Sequence, residues 1–240
     1  MRGVLLAGGF GTRLHPLTLI TNKHLLPVYN KPMILFPLET LKKSGINEIM
    51  IVCGKEHAGH FMNFLGSGKD YGVKLSYALQ HGAGGIAEAL GLAEDFIKGE
   101  RIAVALGDNI FEDGFSKEVE TFKNQDGAKI FITKDDSPRR FAVVEIKGDK
   151  VISIEEKPKE PKSNYVNVGF NLYNSDVFDK IRKLKPSWRN ELEMTDVHNM
   201  YLQEGKLSCG FVNGFWSDAG TFDSLLSAAN WVQSHLSLDK

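Results

Sequence analysis

Leu6-Ala7-Gly8-Gly9-Phe10-Gly11-Thr12-Arg13-Leu14 is the stretch on which the fold of this chain turns, with Lys23-His24-Leu25-Leu26-Pro27 close behind it. The apolar run that enters it, residues 3–6, has the length and composition of a buried parallel strand. It empties into glycines at 8, 9 and 11, which can take positive φ and let a ligand come close to the main chain. Successive uncovered N–H groups in such a loop form a concavity for anions. Arg13 and Lys23 follow and add formal positive charge. A strand, a glycine turn and two cations suit a polyphosphate.

Two common phosphate loops do not fit. A Walker loop needs G-x-x-x-x-G-K-[ST], and the chain has no such run. A dinucleotide fingerprint needs G-x-G-x-x-G, and Gly9-Phe10-Gly11-Thr12-Arg13-Leu14 places a leucine where the third small residue belongs. A dinucleotide-dependent oxidoreductase is disfavoured on that ground.

Composition narrows the class further. The 240 residues, 42% hydrophobic and 25% charged, are ordinary for a globular protein able to bury a sizeable core. A net charge of −1 lacks the basic excess of a nucleic-acid binder, yet leaves room for a local basic pocket. No segment approaches the roughly 18 apolar residues of a membrane span, and residues 3–6 are too short for a signal-peptide core. Cys53 and Cys209 lie in apolar strand-like runs and read as buried thiols in a reducing, cytoplasmic setting. No Cys/His spacing indicates zinc, and no Ser/His/Asp set indicates a nucleophile.

Along the chain, strands alternate with helical patterns. Residues 32–44 read as a helix with Pro32 in its first turn, Ile34, Leu38 and Leu41 on one face, and a bend at Pro37. Strands are expected at 46–53 and, from strict alternation, at 73–80. A short helix at 60–65 lies between them. Ile86, Leu90, Ala93 and Ile97 repeat at helical spacing, and 102–106 is an apolar strand closed by Gly107-Asp108-Asn109. Such βαβ units make a mostly parallel sheet, whose ligands bind beyond the carboxyl ends of its strands. The later part adds strands at 129–133, 142–146, 151–156, 166–173 and 207–212, with a hairpin turn at Lys147-Gly148-Asp149. Helices are expected at 177–184, 197–204 (capped by Thr195 or Asp196) and 222–231. With no repeat or linker, the chain is expected to form one α/β domain over 1–240. Residues to about 125 would serve a nucleotide, and those from about 126 a second substrate.

Several side chains fall at strand ends where chemistry is expected. Asp108 can act as one of the carboxylates that hold Mg²⁺ beside substrate phosphates, or can cap its own turn. Gln80, just before Gly82-Ala83-Gly84-Gly85, offers a donor and an acceptor that match the imide edge of thymine or uracil. It could equally satisfy a strand end.

Taken together, these motifs resemble the sugar nucleotidyltransferases, whose signature L-A-G-G-x-G-T-R-L with K-x-L-L-P is met residue for residue. Within them the chain is similar to the short-form glucose-1-phosphate thymidylyltransferases, which lack a C-terminal extension. The resemblance runs from Arg2 to about Leu226. It implies a Rossmann-like nucleotidyltransferase fold with a mixed, mostly parallel sheet flanked by helices. It also implies Mg²⁺-dependent nucleotidyl transfer from dTTP (or UTP) to a sugar-1-phosphate, and a homo-oligomer. A non-catalytic nucleotide-sugar sensor on the same scaffold is the other reading, disfavoured by the intact charged motifs.

Residue roles follow from the same resemblance. Leu6, Ala7, Gly8, Gly9, Gly11, Thr12, Arg13, Gln80, Gly85 and Asp108 would bind the nucleotide, with Lys23 on the triphosphate. Leu106-Gly107-Asp108-Asn109 and Phe215-Trp216-Ser217-Asp218-Ala219-Gly220-Thr221 match family motifs that make Asp108 and Asp218 the metal carboxylates. Glu155-Glu156-Lys157-Pro158 implies Glu156 on sugar hydroxyls and Lys157 on the sugar phosphate, joined there by Arg189. Leu106, Phe141, Ala142, Asn167 and Trp216 complete the sugar-phosphate set, with Arg13, Lys23, Asp108 and Lys157 as the catalytic group. Departures from the family pattern cluster in the sugar half. Ala142 stands where glycine is usual, and Asn167-Val168-Gly169 where valine, threonine and glycine are. Glu88 replaces a glutamine, and Arg139 a glutamate.

Overall fold

The computed structural model describes residues 1–236. The chain enters on β1 (Arg2–Ala7), whose Val4, Leu5 and Ala7 are wholly buried, as a strand covered on both faces must be. A small ribbon follows, β2 (Pro27–Val28) against β3 (Lys31–Pro32). The first helix, α1 (Leu35–Lys43), starts later than expected. Pro32 belongs to the ribbon, and Pro37 sits in the first helical turn, where its missing N–H leaves no bond unmade, so no bend is needed. Ile34, Leu38 and Leu41 share the buried face, each worth about 1.5–3 kcal/mol over exposure.

Next come β4 (Glu48–Gly54), α2 (Ala58–Leu65) and β5 (Lys74–Gln80). The single helical pattern over 86–97 is two short helices, α3 (Ile86–Gly91) and α4 (Glu94–Ile97), separated by a turn at 92–93. β6 (Ile102–Leu106) runs straight into β7 (Asn109–Phe111). The helix α5 (Ser116–Phe122) was not expected, although Phe115, Val119 and Phe122 repeat at helical spacing and are buried. The remaining elements are β8 (Ala128–Lys134), β9 (Ala142–Lys147), β10 (Lys150–Glu156), β11 (Tyr165–Tyr173), α6 (Val177–Ile181), α7 (Met194–Gln203), β12 (Leu207–Phe211), β13 (Trp216–Asp218) and α8 (Phe222–Leu236). Glu193, not Thr195 or Asp196, takes the cap position of α7 and makes no side-chain capping bond.

One mixed nine-stranded sheet is ordered β10-β9-β11-β6-β1-β4-β5, with β8 pairing both β11 and β12. Its ladders are parallel through β6-β1-β4-β5 and between β8 and β12, and antiparallel around β11. Leu5, Ile34, Leu38, Phe61, Phe122 and Phe170 fill one side, and Val4, Leu90, Val104, Val177 and Tyr201 the other. Cys53 is buried as expected, but Cys209 is only half-buried because β12 is an edge strand. Among the described residues no helix is long and apolar enough to cross a membrane. The carboxyl ends of β1, β5 and β6 open on one side, where the glycine loop, Gln80 and Asp108 emerge.

Candidate active site

After Ala7 the main chain runs through Gly8 and Gly9 to Gly11, which takes φ +68° before the 3₁₀ turn Thr12–Leu14. The turn is fixed by Leu14 N–H and the Thr18 hydroxyl, both donating to the Gly11 carbonyl. A Cβ on Gly11 would meet Lys23 Cβ at 2.9 Å and Thr18 Cγ2 at 3.0 Å, so the close approach of the Lys23 segment requires glycine here. Gly9, Phe10, Thr12 and Arg13 are exposed along the loop. Lys23 passes beneath Gly9 and pairs with Asp108. His24, next along, is buried against Gly107, and its backbone N–H donates to Asn22 Oδ1 at 2.9 Å. Burial, then the Lys23 charge, pushes its imidazole down to about 3, so it stays neutral.

The two aspartates, 110 residues apart in sequence (218 less 108), are neighbours in space. β7 and β13 form a two-stranded ribbon that sets Asn109 opposite Asp218, and Ala219 N–H donates to the Asp108 carbonyl at 2.8 Å. Burial works against charge on Asp108, but Lys23 and the Asn109 amide outweigh it and hold the carboxyl well below its usual range. Asp218 goes the other way, raised by burial and by repulsion from Asp108. Arg140 Nη2 donates to Asp218 Oδ1 at 2.8 Å, while Arg13 Nη2 stands 3.9 Å from Oδ2. Two carboxylates that repel one another, with three cations around them, are a donor set that a divalent cation and its phosphates would satisfy. Among the described residues no three His, Cys, Asp or Glu side chains gather as an all-protein metal cage. A pair of carboxylates fits Mg²⁺, which keeps its other positions for phosphate oxygens and water.

Gln80, the last residue of β5, lies against the same loop. Its side chain lies against Gly8, where a Cβ would stand 2.1 Å from Oε1, and its Nε2 donates to Glu88 Oε2 at 2.8 Å and to the Gly85 carbonyl at 3.3 Å. On the other flank, Lys157 takes φ +43° at the end of β10, its N–H donating to the Phe141 carbonyl at 3.1 Å. A non-glycine residue held there costs about 1–3 kcal/mol and aims a charged side chain out of the strand. Lys157 Nζ and Arg189 Nη1 lie 3.0 and 3.6 Å from Glu156 Oε1, and Thr195 donates to Oε2 at 2.6 Å. Arg189 also meets Glu191 and Glu193. The Phe141 and Trp216 rings are 5.4 Å apart, and Leu106 ends β6 nearby in sequence to Asp108. Asn167 is half-buried on β11, its Oδ1 without a partner. The Ala142 methyl packs with Ile130, Ile132 and Val144 in a small core of its own.

The model of the family described as "Nucleotidyl transferase" matches residues 2–235. This chain belongs to the nucleotidyl transferase family. A glucose-1-phosphate thymidylyltransferase of Mycolicibacterium smegmatis is 44% identical over 238 residues, 98% of this chain and 83% of the relative. A crystal structure of a Bacillus anthracis protein, provisionally described as a glucose-1-phosphate thymidylyltransferase and holding a sucrose, superposes with a TM-score of 0.93. It is 52% identical, with 97% of this chain and 95% of that one covered. A UDP-glucose pyrophosphorylase complexed with UDP-glucose shares 22% identity and a TM-score of 0.85 over 98% of both chains, which shows the fold alone.

Two residues of this nucleotidyltransferase carry more of the site than its motifs announced. Arg140 anchors Asp218, a role with no spacing signal in the sequence, because 78 residues separate them. Asn109, last of Leu106-Gly107-Asp108-Asn109, is the other. Its Oδ1 accepts from Gly169 N–H at 3.0 Å and Trp216 Nε1 at 2.7 Å, while its Nδ2 donates to Asp108 Oδ1 at 3.0 Å. Asn109→Ala strips one buried donor, one half-buried donor and one carboxylate of their partner. The variant is expected to lose about 2–4 kcal/mol of unfolding free energy in urea denaturation. A loss below about 0.5 kcal/mol would show that water replaces all three bonds.

Proposed function

We propose that this nucleotidyltransferase moves the thymidylyl group of dTTP onto glucose-1-phosphate, giving dTDP-glucose and pyrophosphate. The observation that carries the reading is the convergence of Asp108 and Asp218 beside the glycine loop, ringed by Lys23, Arg13 and Arg140. The names of the similar proteins supply the substrates. In the reaction an oxygen of the sugar phosphate forms a bond to the α-phosphorus as the bond to the β-phosphate oxygen breaks. That nucleophile is already an anion at neutral pH, so no general base is needed, and neutral His24 serves packing instead.

The protein's work is orientation and charge neutralisation. Amides of residues 8–11, with Arg13 and Lys23, hold the triphosphate, and Leu6, Ala7 and Thr12 shape the loop. Gln80 and Gly85 face the base. Lys157 and Arg189 hold the incoming phosphate, and Glu156 accepts from sugar hydroxyls. Leu106, Phe141, Asn167 and Trp216 surround the sugar, and Ala142, its methyl turned into the small core, borders it only with main chain. Mg²⁺ held by Asp108 and Asp218 would supply charge neutralisation to the phosphates.

The test is a matrix of dTTP, UTP, dCTP and dATP against glucose-, galactose- and mannose-1-phosphate, read by pyrophosphate release with and without EDTA. The highest kcat/KM is expected for dTTP with glucose-1-phosphate, and chelation is expected to abolish it. Turnover unaffected by EDTA would remove the metal, and a different best pair would replace the substrates.

A further inference from the structure

Gln80 is 6% exposed, and among the described residues its Oε1 accepts no hydrogen bond. Both hydrogens of its amide are committed, one to Glu88 Oε2 at 2.8 Å and the other to the Gly85 carbonyl at 3.3 Å. Its Oε1 lies over Gly8 of the loop, and among the described residues no donor is aimed at it. An amide can exchange its two ends by rotation, so something must decide which end faces the hollow. Glu88 decides it. A carboxylate only accepts, so it tolerates the NH₂ end and repels the carbonyl end. Gly84 makes this possible, since a Cβ there would stand 2.1 Å from Glu88 Oε2.

We infer that Glu88 is a positioning residue for base choice. By holding the Gln80 carboxamide with its oxygen toward the ligand, it makes the site select a pyrimidine carrying N3–H over one with a bare N3. The inference rests on the reading that Gln80 meets the base. Thymine and uracil present an imide N3–H that Oε1 can accept. Cytosine presents a lone pair at that atom, and oxygen and nitrogen lone pairs would face each other across the gap. Turning the amide over would suit cytosine, but would set Oε1 against the Glu88 carboxylate and lose the Gly85 bond. Sites built around a specific hydrogen bond reject the mismatched ligand far more strongly than sites that sense a missing methylene.

The distinguishing variants are Glu88→Lys, whose side chain only donates, and Glu88→Met, which does neither. Dissociation constants for dTTP and dCTP are measured by calorimetry on the full chain, beside kcat/KM from pyrophosphate release with glucose-1-phosphate. The unaltered chain is expected to favour dTTP by about 100-fold or more, and both variants to shrink that preference by about tenfold. The change should lie in KM and Kd for dCTP rather than in kcat, since Glu88 reaches the base only through Gln80. A preference within about twofold of the unaltered chain in both variants overturns the inference, as does an unaltered chain that binds the two nucleotides equally. Binding preferences that shift as stated without pyrophosphate release would uphold Glu88 and refute transfer. Absence of binding to either nucleotide would refute both.

Discussion

Asp108→Asn is expected to lower kcat for pyrophosphate release by about 1,000-fold or more, about 4 kcal/mol of lost transition-state stabilisation, in a chain that still folds. The amide keeps the shape and one acceptor but removes the charge that would share a divalent ion with Asp218 and offset the developing phosphate charge. Two opposing changes keep the fold intact. Lys23 loses a charged partner whose side chain is only 11% exposed, which is costly. Asp218, held up by burial and by Asp108, is relieved of its like-charged neighbour. The Asn109 Nδ2 bond also survives, since an asparagine oxygen still accepts it. The unfolding free energy should therefore move by less than about 2 kcal/mol. A variant with unaltered kcat at saturating Mg²⁺ would take Asp108 out of the reaction. A variant that has lost its cooperative unfolding would show that the aspartate pairs chiefly to hold the β6–β7 corner together.

What could be read from residue order was set by range. Runs such as Ile102–Leu106 are legible because a strand buried on both faces needs nothing but adjacent apolar residues. The glycine loop is legible for a similar local reason: a turn that brings main chain to a ligand must be written in glycine. Errors arose where a local signal had two outcomes. Pro32 can open a helix or end a ribbon, and only the pairing with Pro27 decides it. Gly91 can be tolerated within a helix or stand at its end, and here it is the last residue of α3. The sequence pattern at Cys209 shows an apolar strand but not that the strand is an edge. β7 and β13 are three residues each, too short to carry a period, and their union depends on partners about a hundred positions away. That ribbon brings the aspartates together. Motif resemblance named both acids, but their adjacency belongs to the tertiary structure.

Gly85→Ala is expected to destabilise the chain by about 2–5 kcal/mol and to lower dTTP turnover with it. Gly85 takes φ +99° and ψ 176°, a region open to glycine alone. A Cβ there would stand 2.6 Å from the Leu192 carbonyl oxygen and 2.8 Å from its nitrogen, and main chain cannot swing aside as a flexible side chain can. The contact is tight because Leu192 is stitched to this corner: its N–H donates to the Gly84 carbonyl at 2.7 Å, and its carbonyl accepts from Ala87 at 3.2 Å. Pushing Leu192 away breaks both bonds. It also carries off Glu191 and Glu193, which hold Arg189, and tilts the Gly85 carbonyl from Gln80. One added methyl thus strikes the amide proposed for the base and the arginine proposed for the phosphate together, so KM should rise for both substrates. Urea denaturation gives the stability, and initial rates over a grid of both substrates give the KM values. A free-energy change below about 0.5 kcal/mol would mean that the corner relaxes at little cost, and the rigid coupling of the two halves through Leu192 would be wrong. A rise in KM for dTTP alone would confine the damage to Gln80 and leave Arg189 independent of this contact.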